Sequence, residues 1–180
     1  MSLARALAAG FASLALVGGV ACNDPVHDNE VAALGPENPD VEQGPFHRPG
    51  QPCLTCHGGS GPAKSQFTMG GTVYQTHAGT VPLNGGVVEI TDPQMTRFDV
   101  KTNAAGNFYI TESDYSPGYP AHVTVSFNGV TTTMLTHIGR DGSCADCHFD
   151  PPGPATEGHA YLVLTPDLFP GNAPPPDGGM

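Results

Sequence analysis

Tryptophan is absent, and basic residues are scarce: Lys and Arg number 6 against 17 Asp and Glu in 180 residues. The resulting formal charge of −11 repels phosphate backbones, which sets nucleic-acid binding aside. Charged residues of both signs make up only 13% of the chain. A coiled coil or long helical bundle needs Ala, Leu, Glu, Lys and Arg in quantity, so that class is excluded as well. Glycine (24) and proline (19), by contrast, account for about a quarter of the residues, the level at which loop-rich architecture begins. Five cysteines are present, an odd number.

Residues 1–21, MSLARALAAGFASLALVGGVA, carry one basic residue, Arg5, ahead of an apolar run rich in small side chains. The run is short for a membrane span, which takes about 20 strongly apolar residues. It fits a cleaved export signal. Gly19-Val20-Ala21-Cys22 resembles a bacterial lipobox, although Gly19 stands where that motif usually has Leu. The resemblance implies that Cys22 is acylated and becomes the mature N-terminus. Gly19-x-Ala21 also satisfies ordinary cleavage after Ala21. Either route takes the chain out of the cytoplasm to the bacterial cell envelope. The lipoprotein route anchors it to a membrane, facing the periplasm or the cell surface. Removal of residues 1–21 takes away only Arg5, so the mature charge becomes 5 − 17 = −12. Residues 22–45 are polar, acidic and proline-punctuated and read as a flexible tether; residues 171–180 read as a disordered tail.

The other four cysteines lie in two copies of one pattern, Cys53-Leu54-Thr55-Cys56-His57 and Cys144-Ala145-Asp146-Cys147-His148. CxxCH is the attachment signature of a c-type haem. Two thiols add to the vinyl groups on one edge of the porphyrin, and the adjacent histidine, His57 or His148, supplies the proximal ligand to iron. The expected cofactors are therefore two covalently attached c-type haems. Zinc held by the four cysteines is the first alternative. The 87 residues between Cys56 and Cys144 exceed the usual spacing of paired zinc knuckles, and zinc gives no reason for a histidine after each pair. Two disulfides are the second alternative, and they too leave His57 and His148 unexplained. Both motifs resemble those of multihaem c-type cytochromes, which carry electrons outside the bacterial cytoplasm.

Electron-transfer haems take a second axial ligand, His or Met. His47 lies six residues before Cys53 and His137 seven before Cys144, a parallel placement that makes them the candidate distal ligands. Met134 stands in reserve, followed by Met69, His77 and His159. His27 falls in the tether and reads as solvated. His122 falls in PAHVTVSF on the strand face opposite Val123, Val125 and Phe127, and reads as facing solvent.

Residues 67–135 change character. FTMGGTVY, GVVEIT, TRFDVKT, GNFYIT, AHVTVSF and VTTTML are short β-branched and aromatic runs, separated by turn signals such as Asn84-Gly85-Gly86 and Asn128-Gly129. HAYLVLT, at 159–165, adds a seventh run. The expected fold class is mainly β: a small antiparallel β-sandwich of about seven strands, flanked by loop-rich haem-binding segments. The expected organisation is a first haem-binding segment at 46–66, the sandwich at 67–137, a second haem-binding segment at 138–158 and a last strand at 159–170. Gly71-Thr72-Val73-Tyr74, the run Pro82 to Ile90 and Thr102-Asn103-Ala104-Ala105-Gly106-Asn107-Phe108 resemble the carboxypeptidase regulatory-like, or transthyretin-like, sandwich. Such modules are non-catalytic scaffolds or binding modules, which implies a spacer role here.

The functional expectation is an exported dihaem c-type cytochrome that transfers electrons at the cell envelope and is not an enzyme. Its strong negative charge calls for basic redox partner proteins that bind transiently. Two alternatives stay open. One is a haem enzyme, a peroxidase or small-molecule reductase, with an open distal site. The other is a non-redox surface binding module whose CxxCH pairs are structural or hold zinc.

Overall fold

Strands arise where β-branched and aromatic residues alternate with polar ones, and they stop at the glycine-bearing turns. The computed structural model describes residues 24–59, 61–77, 80–150, 154 and 156–163. The expected signal 1–21, Cys22, the later part of the expected last strand and the tail 171–180 lie outside the described residues. Among the described residues there are seven strands: β1 (Phe67–Thr76), β2 (Val87–Thr91), β3 (Arg97–Lys101), β4 (Asn107–Thr111), β5 (His122–Phe127), β6 (Val130–Thr133) and β7 (Ala160–Val163). They form a three-stranded sheet in the order β4-β1-β7 and a four-stranded sheet in the order β3-β2-β5-β6. The fold is mainly β and sandwich-like, as the sequence pattern leads one to expect. One pairing departs from an antiparallel sandwich: β7 runs parallel to β1.

The period of two is visible in the packing. Val88 and Ile90 of β2 are fully buried. On β3, Phe98 and Val100 pack toward the core while Arg97, Asp99 and Lys101 face water. Asn128 and Gly129 both have positive φ, 49° and 80°, as the two-residue turn between β5 and β6 requires. Met69, Val73, Leu83, Val88, Ile90, Phe108, Ile110, Ala121, Val125 and Leu162 make one core between the sheets.

β1 differs from the other strands. Every residue from Met69 to Tyr74 is buried, on both strand faces. One face belongs to the core, and the other is covered by the segment that leads into the first cysteine motif.

The described residues up to Ala33 and those from Leu34 on belong to separate compact units. Part of the segment read as a tether is a helix, α1 (Pro25–Ala33). Its start has a local cause: the Asp24 carboxylate accepts hydrogen bonds from the Val26 and His27 N–H groups, and Pro25 suits the first helical turn. None of its residues is buried. Among the described residues, no helix is long and apolar enough to cross a membrane.

Candidate functional site

Cys53–His57 form a single helical turn, α2. In a helix, positions i, i+3 and i+4 share one face. The turn therefore brings Cys53, Cys56 and His57 to one side and turns Leu54 away. The second motif coils similarly: Cys144–Asp146 is a 3-10 turn, and the His148 N–H donates to the Cys144 carbonyl at 2.8 Å. Thr156 fixes the exit of this turn. Its hydroxyl lies 2.8 Å from both the Cys147 and Phe149 carbonyl oxygens and accepts from the Phe149 and Gly158 N–H groups.

Both motifs dock on β1 at consecutive glycines. A Cβ on Gly70 would sit 3.1 Å from Cys53 Cβ, and one on Gly71 would sit 2.6 Å from Cys144 Cβ. Adjacent strand residues face opposite sides, so the motifs approach β1 from opposite faces. Gly70 also pairs with Ser143 in a parallel bridge, and its N–H donates to the Gly142 carbonyl at 3.0 Å. With no side chain on either glycine, only backbone separates the two attachment points. Burial pushes the Cys144 thiol up to about 12, reinforced by Cys53, Asp141, Asp146 and Cys147. Burial likewise pushes Cys53 up to about 11; a hydrogen bond to the backbone opposes this, and Asp146 and Cys56 add to it.

Three of the histidines named from sequence have one ring nitrogen committed. The Nδ1–H of His57 donates to the Ser65 carbonyl at 2.9 Å, that of His148 to the Gly158 carbonyl at 3.1 Å, and that of His47 to the Gly44 carbonyl. A carbonyl oxygen can only accept, so Nδ1 carries a proton, and in the neutral ring the lone pair then lies on Nε2. This is the usual second contact of a metal-ligating imidazole.

His47 and His57 come together. Their ring centroids are 5.8 Å apart, with 38° between the planes. Two imidazoles on opposite sides of an iron, at about 2 Å per bond, place their centroids roughly 6 Å apart. Phe67 stacks on His57 at 4.1 Å, and Tyr109 stacks on Phe67 at 4.6 Å. A cavity of about 950 Å³ gathers His47, Cys53, Cys56, His57, Phe67 and Tyr109 in its lining. Thiols, imidazoles and aromatic walls in one cleft fit a c-type haem.

The loop that carries His47 is tied to the sheet by side chains the sequence reading did not single out. Asn107 Nδ2 donates to the His47 carbonyl at 3.0 Å and to the Pro45 carbonyl at 3.2 Å. Asn107 Oδ1 accepts from the Thr72 hydroxyl at 2.7 Å, and that hydroxyl accepts from the Gly50 N–H, also at 2.7 Å. Both side chains are buried, so each polar atom needs such a partner. Arg48, beside His47, holds a positive φ of 50°. That strained turn is held by its guanidinium bonds to the Gly35 carbonyl and Gln51 Oε1, each at 2.7 Å, and to the Leu34 carbonyl.

The remaining candidates are placed differently. His137 meets the ring of His122, with centroids 4.8 Å apart, so these two rings form a pair of their own. Met69 is fully buried in the core. Met134 is half-buried and donates its N–H to the Val123 carbonyl at 3.0 Å. His159 stacks on Tyr74 at 4.1 Å, and His77 meets the edge of Tyr161 at 5.0 Å. All four motif cysteines are unpaired thiols. Among the described residues, no three His, Cys, Asp or Glu side chains converge as a structural zinc site requires. The glycine pair did leave a trace in the sequence, since glycine inside a strand often marks a close approach by another segment. Asn107 left none, because asparagine beside a turn is ordinary.

No protein-family model matches the chain, and neither a curated protein nor a solved structure is similar to it.

Proposed function

We propose that this protein is an exported dihaem c-type cytochrome that carries electrons at the bacterial cell envelope, anchored through acylated Cys22. The observation that supports it best is the cleft holding Cys53, Cys56, His57 and His47 together, with the second motif docked on the adjacent glycine of the same strand. A c-type haem supplies a one-electron ferrous–ferric couple that no side chain of the chain provides. Cys53 and Cys56 are the attachment points on one side of the cleft. His57, held by Ser65, would supply one imidazole to the iron, and His47, in the same lining, would supply a second. Phe67 stacks on the His57 ring and Tyr109 on Phe67, which fixes the orientation of that imidazole. At the second motif Cys144, Cys147 and His148 take the same roles, with His148 aimed by its bond to Gly158. The shared β1 strand brings the two cysteine motifs beside one another, and haems held there would be close enough to exchange an electron.

Intact mass of the mature protein, from a bacterium able to attach haem, tests the reading. Two added haems are expected, together with lipid on Cys22 and a haem-stained band that survives denaturing electrophoresis. Colourless protein, or zinc in place of haem, overturns it. The ferric spectrum then separates transfer from catalysis: two low-spin haems support an electron carrier, and a high-spin fraction supports an enzyme with an open iron.

A further inference from the structure

The two cysteine motifs and the His47 loop leave one pair of metal-seeking side chains unused. His122 opens β5, and His137 lies on the chain that follows β6. Thr124 faces Thr133, and the Met134 N–H donates to the Val123 carbonyl, so β5 and the chain after β6 advance in step to that point. They then fall out of step. Ala121 and Ile138 exchange both of their hydrogen bonds, at 3.0 and 2.8 Å. Between these contacts β5 contributes one residue, His122, while the opposite chain contributes Leu135, Thr136 and His137. This is a bulge. It turns Leu135 out to water, 98% exposed, and brings His137 into register with His122. Next to a pair that exchanges both hydrogen bonds, the following cross-strand pair is a close one, with side chains on the same face. The rings accordingly stand 4.8 Å apart at 49°.

We propose that His122 and His137 form a two-imidazole chelate for a divalent transition cation of the imidazole-seeking group, Cu²⁺, Ni²⁺ or Zn²⁺. Ligation of both rings to neighbouring positions on one ion, at about 2 Å per bond, puts the nitrogens roughly 3 Å apart. Rings at this separation reach that arrangement by side-chain rotation alone. The contrast with the motif histidines is informative. His47, His57 and His148 each have a nitrogen committed to a carbonyl, whereas neither ring of this pair has a hydrogen-bond partner among the described residues. Every imidazole nitrogen of the pair is therefore open to a ligand. No third His, Cys, Asp or Glu joins them among the described residues, so water completes the coordination shell and the ion stays exchangeable. His137 is exposed and the ion can enter from solvent. Imidazole suits these three metals, and the general order of affinity places Cu²⁺ above Ni²⁺ and Zn²⁺. The inference is independent of haem, because it uses neither motif.

The test is calorimetric titration of Ni²⁺ into the purified mature protein, repeated on His122→Asn, His137→Asn and the double variant. Asparagine keeps a polar side chain of similar reach, and circular dichroism checks that the sheet persists. One saturable site is expected, weakened more than about tenfold in each single variant. The double variant should show no saturable site, because each single variant keeps one imidazole and it keeps none. Native affinity in either single variant overturns the proposal, and so does a saturable site of native affinity in the double variant. A change in the haem absorption spectrum of His137→Asn also overturns it, because that result makes His137 an iron ligand.

Discussion

Cys53 and Cys144 lie against consecutive glycines, Gly70 and Gly71, from opposite faces of one strand. A side chain at Gly71 would collide with Cys144, and one at Gly70 would press on Cys53 closely enough to shift it. The double glycine weakens β1 as a strand, and its compensation is the packing of two motif turns into the space it leaves.

Gly71→Ala places a methyl group 2.6 Å from Cys144 Cβ and 2.8 Å from its sulfur, closer than such atoms approach. A loss of about 1–3 kcal/mol is expected in urea unfolding. Haem content at the second motif should fall while the first is retained, as read by peptide mass after proteolysis. Gly139→Ala is the control, since nothing lies within 4 Å of a Cβ there, and it should behave as the native chain. Equal behaviour of the two variants would contradict the platform.

Asn107→Leu keeps the side chain's size but removes its bonds to the Pro45 and His47 carbonyls and leaves the Thr72 hydroxyl without its acceptor. The expected cost is about 1–3 kcal/mol. A purely structural asparagine would stop there. A positioning role for His47 predicts in addition a high-spin component in the ferric spectrum, confined to the first haem. Asn107→Ser, which can keep one hydrogen bond, should restore part of the low-spin spectrum.

The buried thiols give the haem-free protein an alkaline limit. Cys53 and Cys144 have folded values raised to about 11 and about 12, above the ordinary thiol value of 9.0. Above pH 9 the unfolded chain releases these protons while the folded chain keeps them, so the unfolded state gains. Stability from these groups is complete below pH 9 and is lost as pH rises toward 12. Thioethers carry no such proton. Haem-loaded protein should therefore show a flatter alkaline limb in thermal melts than haem-free protein, and equal limbs would argue that the sulfurs are not bonded to haem. Alkylation at neutral pH should likewise reach exposed Cys147 well before Cys144, because the thiolate is the reactive form.

A mature charge near −12 predicts steered association with a basic redox protein. The second-order electron-transfer rate in stopped flow should fall by roughly tenfold or more as ionic strength rises from 0.01 to about 0.15 M, where the screening length shrinks from about 30 to 8 Å. A rate indifferent to salt would remove the charge argument.

The local parts of this molecule were legible in the sequence. The spacing of Cys53, Cys56 and His57 dictates a shared face on one turn, since i, i+3 and i+4 are neighbours on any helix. Alternation in VVEIT and RFDVK dictates strands with one face inward, because a pleated chain repeats every two residues. What the sequence withheld depends on which distant segments meet. Gly70 and Gly71 gave no hint of which chain would fill their space, and His137 is brought beside His122 by a bulge that only strand pairing creates. Its expected counterpart, His47, is held near His57 by Asn107, a residue whose partners lie about 60 positions away. Spacing along the chain sets local geometry because covalent bonds carry it. Long-range register is chosen by the packing of the whole core, and only the tertiary structure decided it.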